Sequence, residues 1–157
     1  MDRRQALKAA FLAPVAAAPL PRAEAGDDAD AAEVFRAIDR LEADVATRLR
    51  AIARALPSAK ALAGSCLADH DRHRAARERL RRRLHLAKAA PEGREVANAL
   101  ALDALRSAQE ALVYAHAEGL PALGDPVAVG TLARHMVDLS RHLTVIDLWI
   151  ESEASRG

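Results

Sequence analysis

Six histidines, His70, His73, His85, His116, His135 and His142, stand out in this chain as residues able to do chemistry. His70 and His73 share a helical face with Cys66, in a stripe that otherwise reads Leu62, Leu80 and Leu84. His135, Asp138 and His142 fall at i, i+3 and i+7, which is one line along a helix. Glu42 and Glu110 flank two further apolar stripes. Carboxylates and neutral imidazoles gathered in a helical core suit iron, manganese or zinc. The same groups also serve as hydrogen-bonded core pairs, Asp138 with His142 or His135, while Glu42 and Glu110 face water. A metal site and a metal-free polar network both follow from these residues.

The elements that would position them are helical. Ala and Leu dominate, Val, Ile and Thr are few, and no run alternates with period two, so the expected fold is all-α. Breakers at Pro57-Ser58, at Pro91-Glu92-Gly93 and from Gly119 to Pro126 cut the chain into four helices, near 30–56, 59–89, 94–118 and 126–153. The first carries Val34, Ile38, Leu41, Val45, Leu49, Ile52 and Leu56 as one stripe. The fourth does so with Leu132, Met136, Leu139, Leu143, Ile146 and Ile150. The third offers Leu102, Leu105, Leu112 and Val113, with Gln109 and His116 on the same face. Short connections predict sequential antiparallel neighbours, an up-down-up-down four-helix bundle.

Heights along such a bundle agree. At about 1.5 Å rise per residue, Glu42 stands roughly 14 Å from one end, His70 near 18 Å, His73 near 14 Å, and Glu110 and Asp138 near 17 Å. His135 and His142 bracket that level by about a turn on either side. One layer would then hold Glu42, His70, His73, Glu110, Asp138 and His142, with His135 at its edge.

Composition narrows the function classes. A single Cys excludes a disulfide framework and any site built from Cys pairs. The first 25 residues read as an export signal: Arg3-Arg4-Gln5-Ala6-Leu7-Lys8, an uncharged run from Ala9 to Pro21, then Ala23-Glu24-Ala25. The paired arginines resemble the twin-arginine translocation consensus, with Ala6 where that family usually has Phe; an ordinary Sec signal or a frayed N-terminal helix is the alternative reading of the same residues. That resemblance implies a periplasmic or secreted protein, exported folded, often with a cofactor already inserted. Setting aside Arg3, Arg4, Lys8, Arg22, Asp2 and Glu24 takes 23 basic and 22 acidic residues to 19 and 20, so residues 26–157 carry a net charge of −1. This charge argues against a nucleic-acid partner. No stretch approaches the roughly 20 uncharged residues of a membrane span.

Gln109-Glu110-Ala111-Leu112-Val113-Tyr114, Leu120-Pro121-Ala122-Leu123-Gly124-Asp125-Pro126 and Arg141-His142-Leu143-Thr144-Val145 resemble the second helix pair of exported bacterial ferritin-like proteins. Leu67-Ala68-Asp69-His70-Asp71-Arg72-His73 is similar to the second helix of that group. The resemblance implies ligands at Glu110, His142 and His73, with a first-helix carboxylate at Glu42. Leu139 stands where the family has a Glu three residues before the last His, with Asp138 one position off, and His70 takes the Glu place of the second-helix pair. The set is therefore poorer in carboxylate, and the gap at Pro91 to Gly93 looks too short for the long ferritin crossover.

Seven arginines between Arg72 and Arg83 mostly point away from the His70/His73 stripe and read as a solvated face. Cys66 reads as a small buried hydrophobe, and Tyr114 and Trp149 as bundle packing. Two functions remain open. One is a periplasmic ferritin-like bundle binding a transition metal for storage, sensing or a minor oxidase role. The other is a metal-free helical interaction module, a homodimer among its forms, whose inward His and Asp fix helix register.

Overall fold

Every helix of the described chain interrupts its buried apolar stripe with polar residues. In a computed structural model, which describes residues 28–88 and 96–155, four helices carry these stripes. They are α1 (Asp28–Ala55), α2 (Lys60–Arg83), α3 (Leu102–Gly119) and α4 (Pro126–Ala154). Short 3-10 turns, Pro57–Ala59 and Leu120–Ala122, lead into α2 and out of α3. No strand occurs among the described residues. The molecule is an all-α four-helix bundle, as the periodicity predicts. The export segment, residues 1–25, lies outside the described residues.

On α1 the buried line is Phe35, Ile38, Glu42, Val45, Leu49 and Ile52, spaced three and four apart, with Glu42 at a position that would suit Leu. α2 buries Ala63 and Cys66, then His70, His73 and Arg77, then Leu80 and Arg81. α3 sets Gln109 and His116 around Leu112, and α4 sets His135 and His142 around Leu139. Close packing depends on small residues: a Cβ built on Gly119 would lie 2.5 Å from Val34 Cγ1.

Helix order departs from the expectation at one step. Asp69 pairs with His142, and Arg83 with Asp125, so α2 and α4 are antiparallel. Gln109 Nε2 donates to the Leu139 carbonyl at 3.1 Å and Arg106 Nε to Asp147 at 2.7 Å, so α3 and α4 are antiparallel too. α2 and α3 are therefore parallel. α1 packs on α2 and α3, and α4 packs on α3 and more lightly on α2, which leaves α2 and α3 diagonal. The bundle runs up-down-down-up, and the up-down-up-down order is corrected.

The cause lies in the boundaries of two helices. α2 stops at Arg83 instead of 89, because His85 turns left-handed (φ 55°) and the amides of His85 and Leu86 bond back to the carbonyls of Arg82 and Arg81. This is a Schellman cap built without glycine. α3 starts at Leu102 instead of 94, behind a turn in which Asn98 is left-handed (φ 52°). Arg48 Nη1 fastens that turn to α1 through the carbonyls of Ala97 and Asn98. The connection thus runs from Leu84 to Ala101, enough chain to span roughly 60 Å extended. α2, with 24 residues, is only about 36 Å long.

Candidate metal centre

The polar middles of the four stripes meet in one layer. Glu42, His70, His73, Arg77, Gln109, His116, His135 and His142 are all buried there. Glu42, His70 and His73 each offer a ligand atom, and these atoms lie within 4.8 Å of one another. This buried Glu/His/His group could hold a metal ion. The His70 ring lies 5.3 Å from the His142 ring, and His73 stacks on His135 at 4.1 Å between centroids.

Four of the five rings are each held by one nitrogen. His70 Nδ1 donates to Glu42 Oε1 at 3.2 Å, His73 Nε2 to Asp138 Oδ2 at 3.2 Å, and His142 Nε2 to Asp69 Oδ2 at 2.9 Å. His116 Nδ1 donates to the Leu112 carbonyl at 2.8 Å. An acceptor oxygen on one side fixes the tautomer, so the opposite nitrogen must present its lone pair. Those opposite atoms, His70 Nε2, His73 Nδ1, His116 Nε2 and His142 Nδ1, are buried without a hydrogen-bond partner, as is His135 Nδ1. Buried polar atoms normally find partners, and a ring anchored to a carboxylate or carbonyl on one side is how proteins orient a metal-binding histidine.

Electrostatics keep the lone pairs free. Burial pushes His73 and His142 down against the pull of Asp138 and Asp69. Burial takes His116 to about 4, and burial together with the nearby His73 takes His135 to about 3. These four rings are uncharged at neutral pH, the form a metal requires. Burial alone would raise the Glu42 carboxyl, but the His70 hydrogen bond and the Arg77 charge overcome it and hold it at about 2.

Arg77 is the residue that sequence reasoning passed over. It is fully buried, its Nη1 and Nη2 grip both Glu42 oxygens, and its Nε donates to Asp39 at 3.0 Å. Arg81, also buried, takes the other Asp39 oxygen and stacks over Phe35 at 5.3 Å. The signal was present, since Arg77 continues the His70–His73 stripe at i+4 from His73. Arg72 and Arg74 do lie outside, as read, in exposed pairs with Asp69 and Asp71.

Of the other candidates, Asp138 is half-buried and joins the layer through His73. His135 and His142 join it directly. Glu110 does not: it is half-exposed and pairs with Arg106, which also holds Asp147. Its neighbour Gln109 takes the inward place, because Leu105, Gln109, Leu112 and His116 share one face. Cys66 is buried, and burial pushes its thiol up to about 11, so it is a protonated packing residue. Trp149 packs against the core, but Tyr114 is 60% exposed and is no part of it. Comparison with known protein families, curated proteins and solved structures finds no match.

Proposed function

We propose that this chain is an exported, ferritin-like helical bundle whose core holds a divalent transition-metal ion, for storage or sensing. Glu42, His70 and His73 hold the ion, and His142, beside His70 with its own Nδ1 unpartnered, is the further ligand. The observation that carries this reading is the set of buried imidazole nitrogens without partners, on rings whose other nitrogens are anchored. The half-exposed carboxylates Asp69 and Asp138, behind His142 and His73, would offset the charge of the ion. The parallel α2 and α3 joined by a long connection support the ferritin-like part, since such bundles use one long crossover. With Glu110 outside, Gln109 inside and Leu139 in the core, the donor set is rich in nitrogen and poor in carboxylate. Such a set favours zinc, or iron, over manganese. Export and a periplasmic setting rest on the Arg3-Arg4 motif and the Ala23-Glu24-Ala25 site.

A second reading is a metal-free module with a structural polar network. Arg77 favours it, because two carboxylates and two guanidiniums already compensate one another in the core without any ion. Elemental analysis of protein recovered from the periplasm separates the two. We expect about one ion per chain in the parent, and little in His73→Ala or His142→Ala at unchanged helicity. A metal-free parent, indistinguishable from its variants, leaves only the network.

A further inference from the structure

Against the outer side of the polar layer, along the α2–α4 seam, lies an open groove of about 420 Å³. That is the size of sites that take small molecules. Arg72, Arg79 and Arg83 from α2 and Arg134 from α4 line it, and no acidic side chain does. Its inner wall is formed by His73 and His135, which are 4% and 6% exposed.

The charges do not cancel. Arg72 pairs with Asp69, and Arg83 Nε with Asp125 at 3.1 Å. Arg79 and Arg134 pair with no carboxylate among the described residues, and Arg134 only donates to Thr131 Oγ1 at 3.3 Å. Two cationic forks therefore face one concave space with nothing to neutralise them. A guanidinium presents rigid paired donors that match the oxygens of phosphate, and two such charges match a dianion better than a monoanion.

We propose that this groove binds a small dianionic oxyanion of the phosphate class, clamped between Arg79 and Arg134. The groove shares His73 with the metal centre, but its charge comes from arginines at the surface, so binding should persist in protein stripped of ions. The ligand is either free phosphate or the phosphate group of a small ester.

Titration calorimetry with inorganic phosphate and with phenyl phosphate, at fixed ionic strength and with or without a chelator, tests it. We expect one saturable site for at least one of the two probes, unchanged by the chelator. Arg79→Gln/Arg134→Gln should weaken binding by about tenfold or more, the size of one charge-assisted hydrogen bond. Arg36→Gln/Arg50→Gln removes the same charge from the exposed face of α1 and should leave affinity within about twofold, the range of surface electrostatics. Tighter binding of the ester assigns the groove to a phosphorylated small molecule; tighter binding of the ion assigns it to free phosphate. Absence of saturation with both probes, or equal weakening by the two double substitutions, overturns the assignment. Loss of binding on chelation alone overturns it as well and points to the ion instead. All four arginines changed here are exposed, so melting curves should coincide with the parent.

Discussion

The α1–α2 seam and the α2–α4 seam both carry polar groups into one core, and they satisfy them in opposite ways. Between α1 and α2, Glu42 and Asp39 meet Arg77 and Arg81, so nearly every donor finds an acceptor. Between α2 and α4, His73, His135 and His142 are anchored on one side at most and leave nitrogens open on the other. The first arrangement leaves little unanswered beyond the spare lone pairs of Glu42. The second is ready for something further. His70 joins them, with one nitrogen on Glu42 and the other unpartnered. The lesson is that buried polarity alone does not mark a site; what marks it is polarity left unanswered in a core that answers it elsewhere.

The strongest way to break the contrast is to open the paired seam. Arg77→Met leaves Glu42 and Asp39 short of their cation, and removing one partner of a buried pair costs about 3–5 kcal/mol. Adding Glu42→Leu should restore part of that, since a well-packed apolar pair is often no worse than the ion pair, while His70 loses its acceptor. Denaturant midpoints of the single and double variants measure it. A double variant as unstable as the single would mean that these charges hold something besides each other.

Acid separates the seams next. His116 and His135 titrate near 4 and 3 when folded, below the ordinary histidine value of about 6.5. The unfolded chain therefore binds protons first, so their contribution is whole above pH 6.5 and drains as pH falls toward 4 and 3. Glu42, held at about 2, contributes fully above its ordinary value of 4.5 and loses that progressively as pH falls from there toward 2. Melting temperatures should thus decline from about pH 6.5 downward, led by the imidazole seam. His135→Leu should flatten the slope between about pH 6.5 and 4, whereas Arg77→Met/Glu42→Leu should leave it in place. The same slope in His135→Leu and the parent would remove that ring from the account.

The smallest effect belongs to Glu110→Gln. Its pair with Arg106 is at the surface, so stability should shift by no more than about 0.5 kcal/mol. Metal content should not change.

Much of the fold was legible because α1 and α4 announce themselves through unbroken apolar spacing. The direction of α3 was not, because it hinged on a helix end made by His85, a residue that enters the left-handed region without the usual glycine. Proline and glycine at 91–93 predict a later end to α2 than the one His85 makes. In the core, His70 and His73 were legible as polar interruptions of a stripe, and His135 and His142 as part of a polar line beside another. Glu110 was misplaced because height along a helix was considered without angle: one residue of rise is about 1.5 Å, but it is also about 100° of rotation. Arg77 was hidden among seven arginines whose common charge suggested a common face.

The most direct measurement is the melting temperature of chelator-stripped protein with and without added zinc. A ligand that binds only the folded chain stabilises it by about 2.7 kcal/mol at a hundred times its dissociation constant. For a domain of this size that raises the melting temperature by several degrees, on the order of 2–4 °C per kcal/mol. The account predicts that rise in the parent and its loss in His73→Ala/His142→Ala. No rise in the parent, or the same rise in both, would contradict it.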